Sequence, residues 1–330
     1  MSTARIFVTR RWPVDAAEVA GAIAGPGVRV DVFAPERAPT REELRERARS
    51  SGAIVTSVAD RVDRELLESL PALRVVAQAA VGYDNVDVAA CRERGVLVTH
   101  TPGVLTESTA DLALTLLLAV ARRVREGEAL VREGRFGGWS PTMLLGTELD
   151  GKTLGLVGYG RIARAVARRA DAFGMRVLAS TRDDVPFERE PYAVHASFAE
   201  LLEESDVISL HVPGSRATRH LIGEPEFARM KRGAILINTA RGTVVDEAAM
   251  VRALERGQLG AAGLDVYEEE PRVHPGLLGR DDVVLLPHLG SATREARRRM
   301  AETALRDAAR VLSGEAPLHP VPELRGEGGA

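Results

Sequence analysis

The sequence predicts an α/β protein built from two doubly wound parallel-sheet domains, and three observations carry that expectation. Short apolar stretches alternate with helical ones through the first hundred residues. The same alternation restarts at Lys152, and a glycine-rich turn, Gly158-Tyr-Gly160, joins the first strand of the second run to a helix. Strands separated by helices imply parallel pairing, because a parallel strand is reached only by a long crossover. At 330 residues and 45% hydrophobic, the chain is long enough to bury two cores.

In the first run, strands are predicted at Arg5 to Thr9, Val28 to Phe33, Ala53 to Thr56, Arg74 to Ala77 and Val96 to Thr99. Helices fill the gaps at Val14 to Ala24, Arg41 to Arg49, Asp63 to Ser69 and Asp87 to Arg94. Thr101-Pro-Gly breaks the rhythm, and one long helix is predicted from about Glu107 to Glu133, with acidic residues in its first turn. Leu112 to Ala121 within it is strongly apolar but shorter than the roughly 18 residues of a membrane span, so it reads as a buried helix. Arg135 to Gly151, with Trp139 and Pro141, is an irregular arm. Strands follow at Thr153 to Val157, Arg176 to Ser180, Val207 to His211, Ala234 to Asn238, Ala261 to Asp265 and Val283 to Leu286. A last amphipathic helix runs from Thr293 to Leu312, and the Gly-rich Arg325 to Ala330 is a loose tail.

Composition removes several classes of function. A net charge of -3 gives no electrostatic footprint for nucleic acid. Lys152 and Lys231 are the only lysines, so nearly all positive charge is arginine. Cys91 is the only cysteine, which excludes an intramolecular disulfide and a cysteine-built metal site and leaves packing as its role. The start, Met1 to Arg11, lacks the apolar stretch of a secretory signal, and a soluble cytoplasmic protein is expected.

Leu154-Gly-Leu-Val-Gly158-Tyr159-Gly160-Arg161-Ile162-Ala163 places a tight turn between an apolar strand and a helix, the context a dinucleotide fingerprint needs. Gly158 lets the chain turn, Gly160 lets backbone approach a pyrophosphate, and Ala163 stays small enough for helix-to-strand packing. The helix start supplies amide donors and a positive dipole end. The next strand ends at Ser180-Thr181-Arg182-Asp183-Asp184. An NAD site puts an acid there for the ribose 2′-hydroxyl, whereas an NADP site offers arginine to the 2′-phosphate. Thr181 stands where that acid is expected and Arg182 follows, so NADP(H) is favoured over NAD(H). The alternative is that Arg182 is a solvated loop residue and Asp183 or Asp184 serves the ribose of NAD.

Three ionisable residues follow the fingerprint: Arg241 in Ile-Asn-Thr239-Ala240-Arg241-Gly, Glu270 in Tyr-Glu-Glu-Glu270-Pro, and His288 in Leu-Leu-Pro-His288-Leu-Gly290. Hydride addition to a 2-keto acid develops negative charge on the carbonyl oxygen, so the site needs a donor that can deliver a proton. His288 suits that task, and a carboxylate at Glu270 would favour its protonated ring. The planar fork of Arg241 can pair with the substrate carboxylate and touch the carbonyl oxygen. Each alone reads as a surface ion pair, a solvated charge or a loop cap. Their conjunction just beyond apolar strands, where open α/β sheets bind ligands, points to a site.

These residues, with Val81-Gly82-Tyr-Asp-Asn85, Thr101-Pro-Gly-Val-Leu-Thr106-Glu-Ser-Thr-Ala-Asp111, His211-Val212-Pro213, Gly263-Leu-Asp265 and Pro287-His288-Leu-Gly-Ser-Ala-Thr293, resemble the D-isomer-specific 2-hydroxyacid dehydrogenases along nearly the whole chain. The likeness is greatest to the glyoxylate and hydroxypyruvate reductase branch. The resemblance implies catalysis by Arg241, Glu270 and His288, and a substrate carboxylate held by Arg241 and the amides of Val81 and Gly82. For the cofactor it implies Thr106, Asp265, His288 and Gly290 by the nicotinamide, with Val212, Pro213 and Thr218 by the adenosine half. The fingerprint residues Gly158, Tyr159, Gly160, Arg161 and Ile162, then Thr181 and Arg182, then Thr239 and Ala240, complete the expected contacts. Read alone, Thr106 is an N-cap of the long helix and Asp265 a loop cap.

The resemblance further implies a flavodoxin-like substrate domain of residues 1–100 and 290–330, with a Rossmann coenzyme domain of 101–289 inserted in it, and catalysis in the cleft between. It implies a homodimer through the long helix and the arm, with Trp139 either reaching the partner's active site or only packing the interface. The expected reaction is reduction of glyoxylate or hydroxypyruvate. Rival readings are a dehydrogenase for a larger keto acid or for 3-phosphoglycerate, and a nucleotide-sensing scaffold like the transcriptional corepressors of the superfamily.

Overall fold

A computed structural model describes residues 4–25, 27–181 and 191–324. It divides into two compact units, one of residues 1–105 and 292–330, the other of 106–291.

The first unit holds strands β1 (Arg5–Val8), β2 (Arg29–Val32), β3 (Ala53–Thr56), β4 (Val75–Gln78) and β5 (Leu97–Thr99), all parallel in the order β2-β1-β3-β4-β5. Helices α1 (Ala16–Ala24), α2 (Arg41–Ala48), α3 (Arg64–Ser69) and α4 (Val88–Glu93) connect them. The residue before each helix caps it: Asp15, Asp63 and Asp87 accept first-turn amides, and Thr40 forms a capping box with Glu43. β3 and β4 are buried throughout, and their alternate side chains feed two cores. Ile54, Val76, Leu66 and Cys91 pack on one face, and Val55, Val75, Ala304 and Ala308 on the other. Burial pushes the Cys91 thiol up to about 12, consistent with the packing role expected of it.

The second unit opens with α5 (Thr106–Ala121) and α6 (Val124–Arg132). Strands β6 (Thr153–Val157), β7 (Arg176–Ser180), β8 (Val194–His195), β9 (Val207–Leu210), β10 (Ala234–Asn238), β11 (Leu259–Leu264) and β12 (Val283–Leu285) form one parallel sheet, ordered β12-β11-β10-β9-β6-β7-β8. Helices α7 (Arg161–Ala172), α8 (Phe198–Glu204), α9 (Glu224–Arg229), α10 (Glu247–Glu255) and α11 (Pro275–Leu278) lie among them, and α12 (Arg294–Leu312), capped by Thr293, returns to the first unit. α5 buries Ala110, Ala113, Leu114, Leu117 and Ala121 at helical spacing. It lies so close to the sheet that a Cβ on Gly263 would sit 3.0 Å from Leu116 Cβ.

Two expectations need correction. The single helix from Glu107 to Glu133 is in fact two, broken at Arg122 and Arg123, and Arg123 takes a left-handed φ of 51°. The cause is tertiary: the amide of Thr147 takes the carbonyl of Ala121 at 2.8 Å, while Arg123 N bonds back only three residues, to Val120. A bidentate Arg123–Glu126 pair then holds the restart. Thr106 is the first residue of α5 rather than a cap before it. The short edge strand β8 was not expected, since two residues carry no periodic signal. Among the described residues, no helix is long and apolar enough to cross a membrane.

Candidate active site

In the second sheet the chain runs from β6 outward to β7 and β8 in one direction and through β9 to β12 in the other, so the topological switch lies between β6 and β9. The glycine turn follows β6 and His211 follows β9, and they meet there. Gly158 has φ 89°, and a Cβ on it would stand 2.7 Å from the His211 carbonyl oxygen, so only glycine fits. Gly160 is the N-cap of α7 without a side-chain cap, and nothing lies within 4 Å of where its Cβ would be. Uncapped amides beside open space at a helix start are what a pyrophosphate requires. Ala163 is fully buried, as tight helix packing demands. Thr239 Oγ1, just past β10, is buried with no hydrogen-bond partner in the structure. These features fit a dinucleotide.

The other expected cofactor residues fall into groups. Tyr159 is buried in the core with the Arg164 guanidinium 4.5 Å above its ring, which leaves its backbone for a ligand. Arg161 opens α7 as an exposed residue, and Ile162 packs against the core. Thr181 follows β7 directly, whereas Arg182, Asp183 and Asp184 lie outside the described residues. Val212 packs on the core, and Thr218 Oγ1 donates to the Pro213 carbonyl at 2.6 Å, closing the loop after β9.

Glu270 and His288 meet. His288 Nδ1 lies 2.9 Å from Glu270 Oε2, and Glu270 Oε1 accepts the Tyr267 amide at 3.1 Å. Burial by itself would raise the Glu270 pKa, but the hydrogen bond and charge of His288, the Tyr267 amide and the nearby Arg241 charge outweigh it and lower the value. Arg241 follows β10 in a turn that Asn238 shapes: Asn238 Oδ1 accepts the Ala240 amide at 3.0 Å, and its Nδ2 donates to the Arg241 carbonyl at 2.9 Å. Arg241 Nη1 donates to the Ala240 carbonyl at 2.8 Å.

Asp265, just beyond β11, is 1% exposed and accepts the amides of Leu289 and Gly290 at 2.6 and 2.8 Å. Burial raises its pKa, against the pull of those two amides. Its own carbonyl accepts the His288 amide at 2.9 Å, so it anchors the backbone on both sides of a histidine held at φ 56°. Thr109 Oγ1 adds a hydrogen bond to the Gly290 carbonyl at 3.1 Å.

Sequence reasoning missed Asn238 and Tyr267. Asn238 had a signal, since an asparagine ending a strand before a tight turn favours such side-chain bonds. Tyr267 had none, because its part is played by the backbone. Val81 and Gly82 belong to the first unit, in the loop after β4. Trp139 is 81% exposed.

Known proteins resemble this chain in sequence and fold. Residues 114–290 match the family model of the D-isomer specific 2-hydroxyacid dehydrogenase NAD binding domain. The chain is 48% identical over 318 residues to a glyoxylate reductase of Thermococcus litoralis, covering 95% of each chain. It resembles the crystal structure of a glyoxylate reductase from Paecilomyes thermophila, with TM-score 0.88 and 37% identity, over 98% of this chain and 100% of that one. It also resembles an NADPH-dependent glyoxylate/hydroxypyruvate reductase from Sinorhizobium meliloti solved with NADP and malonate, with TM-score 0.85 and 35% identity over 98% of both. A nicotinamide-binding α/β unit with its histidine and glutamate in contact, matched over nearly the full length of such relatives, identifies an oxidoreductase: the chain belongs to the D-isomer specific 2-hydroxyacid dehydrogenase family.

Proposed function

We propose that the protein reduces glyoxylate to glycolate, and hydroxypyruvate to D-glycerate, with NADPH preferred, as a cytoplasmic homodimer. The observation that carries the chemistry is the 2.9 Å contact of His288 Nδ1 with Glu270, under the influence of the Arg241 charge. The nicotinamide, when bound, supplies the hydride. An ionised carboxylate only accepts, so Nδ1 carries a proton toward Glu270 and the ring presents Nε2 to the substrate. In the imidazolium, Nε2–H delivers a proton to the carbonyl oxygen as charge develops there. Arg241 pairs with the substrate carboxylate, joined by the amides of Val81 and Gly82. Asp265 holds the backbone at Leu289 and Gly290 and keeps the ring aimed.

The substrate choice is supported by the likeness to glyoxylate reductases, and the NADPH preference by Thr181 standing where an NAD site carries an acid. A dimer is supported by apolar side chains exposed along one stretch: Val124, Val131, Phe136, Trp139 and Leu145. The test is kcat/KM for NADH and NADPH against glyoxylate, hydroxypyruvate, pyruvate and phenylpyruvate. The highest values are expected for NADPH with the first two acids. A clear preference for NADH rejects the cofactor choice, and a preference for phenylpyruvate rejects the substrate.

A further inference from the structure

The carboxyl ends of β1, β3, β4 and β5 lie side by side in the first sheet, and the polar groups there form one connected network. Asp60, 4% exposed, accepts hydrogen bonds from Thr9 Oγ1 at 2.7 Å, Arg10 Nη2 at 2.7 Å, the Ser57 amide at 2.7 Å and Ser57 Oγ at 2.9 Å. That fixes the turn whose carbonyls, on Ser57 and Asp60, accept Asn85 Nδ2 at 3.0 and 2.7 Å. Gln78 Nε2 donates to Asn85 Oδ1 at 2.8 Å and to the Gly82 carbonyl at 3.2 Å. Thr56 Oγ1 lies 2.7 Å from Gln78 Oε1, and a side-chain carbonyl only accepts, so this bond sets which way the fully buried amide faces. His100, just past β5, has its Nδ1 2.9 Å from the Val81 carbonyl in the loop after β4, and that nitrogen must therefore carry a proton.

We propose that His100 and Gln78 are positioning residues that fix two successive peptide planes of the loop after β4 and so aim the Gly82 N–H at the substrate carboxylate. The inference rests on the reading above, in which the amides of Val81 and Gly82 bind that group. In a trans peptide the C=O and the following N–H point in opposite directions. Drawing the Val81 carbonyl toward the imidazole therefore turns the Gly82 N–H away from it, and drawing the Gly82 carbonyl toward Gln78 fixes the next plane. A glycine in this loop leaves the backbone soft unless such bonds stiffen it. A donor already oriented binds an anion better than one ordered on binding. His100 is itself held: its amide donates to the His319 carbonyl at 3.0 Å, and its ring meets Tyr83 edge-on at 5.5 Å.

The test compares His100→Leu, which keeps bulk and loses the donor, with His100→Asn, whose side-chain amide falls near the place of Nδ1, and with Gln78→Glu, which keeps an acceptor and loses both donors. The readouts are KM and kcat for glyoxylate, the Kd of oxamate, an unreactive 2-keto acid analogue, for the NADPH complex, and the Kd of NADPH. His100→Leu and Gln78→Glu are expected to raise the glyoxylate KM and the oxamate Kd about 10-fold, the scale of one oriented hydrogen bond. The same variants should change kcat less than about 3-fold and leave NADPH binding unaltered, and His100→Asn should restore oxamate affinity to within about 3-fold of the native value. Native oxamate affinity in His100→Leu overturns the proposal, as does a folded His100→Asn that binds oxamate no better than the leucine variant. Should His100→Leu fail to fold, native affinity in Gln78→Glu overturns it equally. Native protein that neither reduces glyoxylate nor binds oxamate removes the functional reading and the proposal with it, whereas native activity with indifferent variants removes the positioning role alone.

Discussion

His288, the proposed general acid, sits in a backbone conformation few side chains adopt, with φ 56°, and Asp265 holds it there through the amides on either side. His288→Ala is expected to lower kcat at least about 10²-fold, the scale of general acid catalysis, while NADPH still binds. Steady-state kinetics and a cofactor titration check it, and near-normal turnover refutes the role. His211 makes a second, separable prediction. Burial pushes its pKa down to about 4, and Nε2 lies 2.9 Å from Ser209 Oγ. The folded state holds it neutral, while the unfolded chain takes a proton below its ordinary value of 6.5. Its contribution is therefore complete above that value and is lost as pH falls from 6.5 toward 4. Between pH 7 and 5 this amounts to a loss on the order of 1–2 kcal/mol. His211→Gln should flatten that part of the profile, as read from urea midpoints at the two pH values.

Among the elements, the joint between α5 and α6 shows where local rules gave way. Residues from Glu107 to Glu133 are mostly good helix formers, so periodicity alone predicts one helix. The break comes from residues more than twenty positions later: Gly146 passes so close that a Cβ on it would lie 2.2 Å from the Ala121 carbonyl oxygen, and Thr147 takes that carbonyl. Gly146→Ala should therefore destabilise the protein by about 1–3 kcal/mol, the cost of forcing a side chain into packed structure. Thermal unfolding checks this, and an unchanged midpoint would show that the two segments are free to separate. Strands were far more legible than this joint. Ala53–Thr56, Thr153–Val157, Arg176–Ser180 and Ala234–Asn238 stand where sequence placed them, because parallel strands buried on both faces, all along or past an exposed first residue as in β7, read as short, mostly apolar runs.

For the whole molecule, the exposed apolar stretch from Val124 to Leu145 is the feature a lone chain does not explain. Light scattering is expected to give twice the chain mass, and Phe136→Glu with Trp139→Glu to give the mass of one chain. A native protein that scatters as a single chain would leave that stretch without the partner proposed for it. The residues proposed for catalysis belong to a continuous segment, residues 106–291, while the loop of Val81 and Gly82 belongs to the other unit. Sequence singled out both groups as candidates because each follows a recognisable strand end.

Sequence by itself determined the alternation of strands and helices, the glycine turn that fits a dinucleotide, and the choice of Arg241, Glu270 and His288 as candidates. All of these are written in neighbours a few residues apart: apolar runs, turn residues and the groups that follow a strand. Only the tertiary structure decided that His288 presents Nδ1 to Glu270, that Asp265 gives both carboxylate oxygens to the loop at Leu289 and Gly290, and that Gln78, Asn85 and Asp60 form one network. The physical reason is that a hydrogen bond is set by distance in space. Distance between residues 18 or 25 positions apart depends on the order of strands in the sheet, which no local pattern contains.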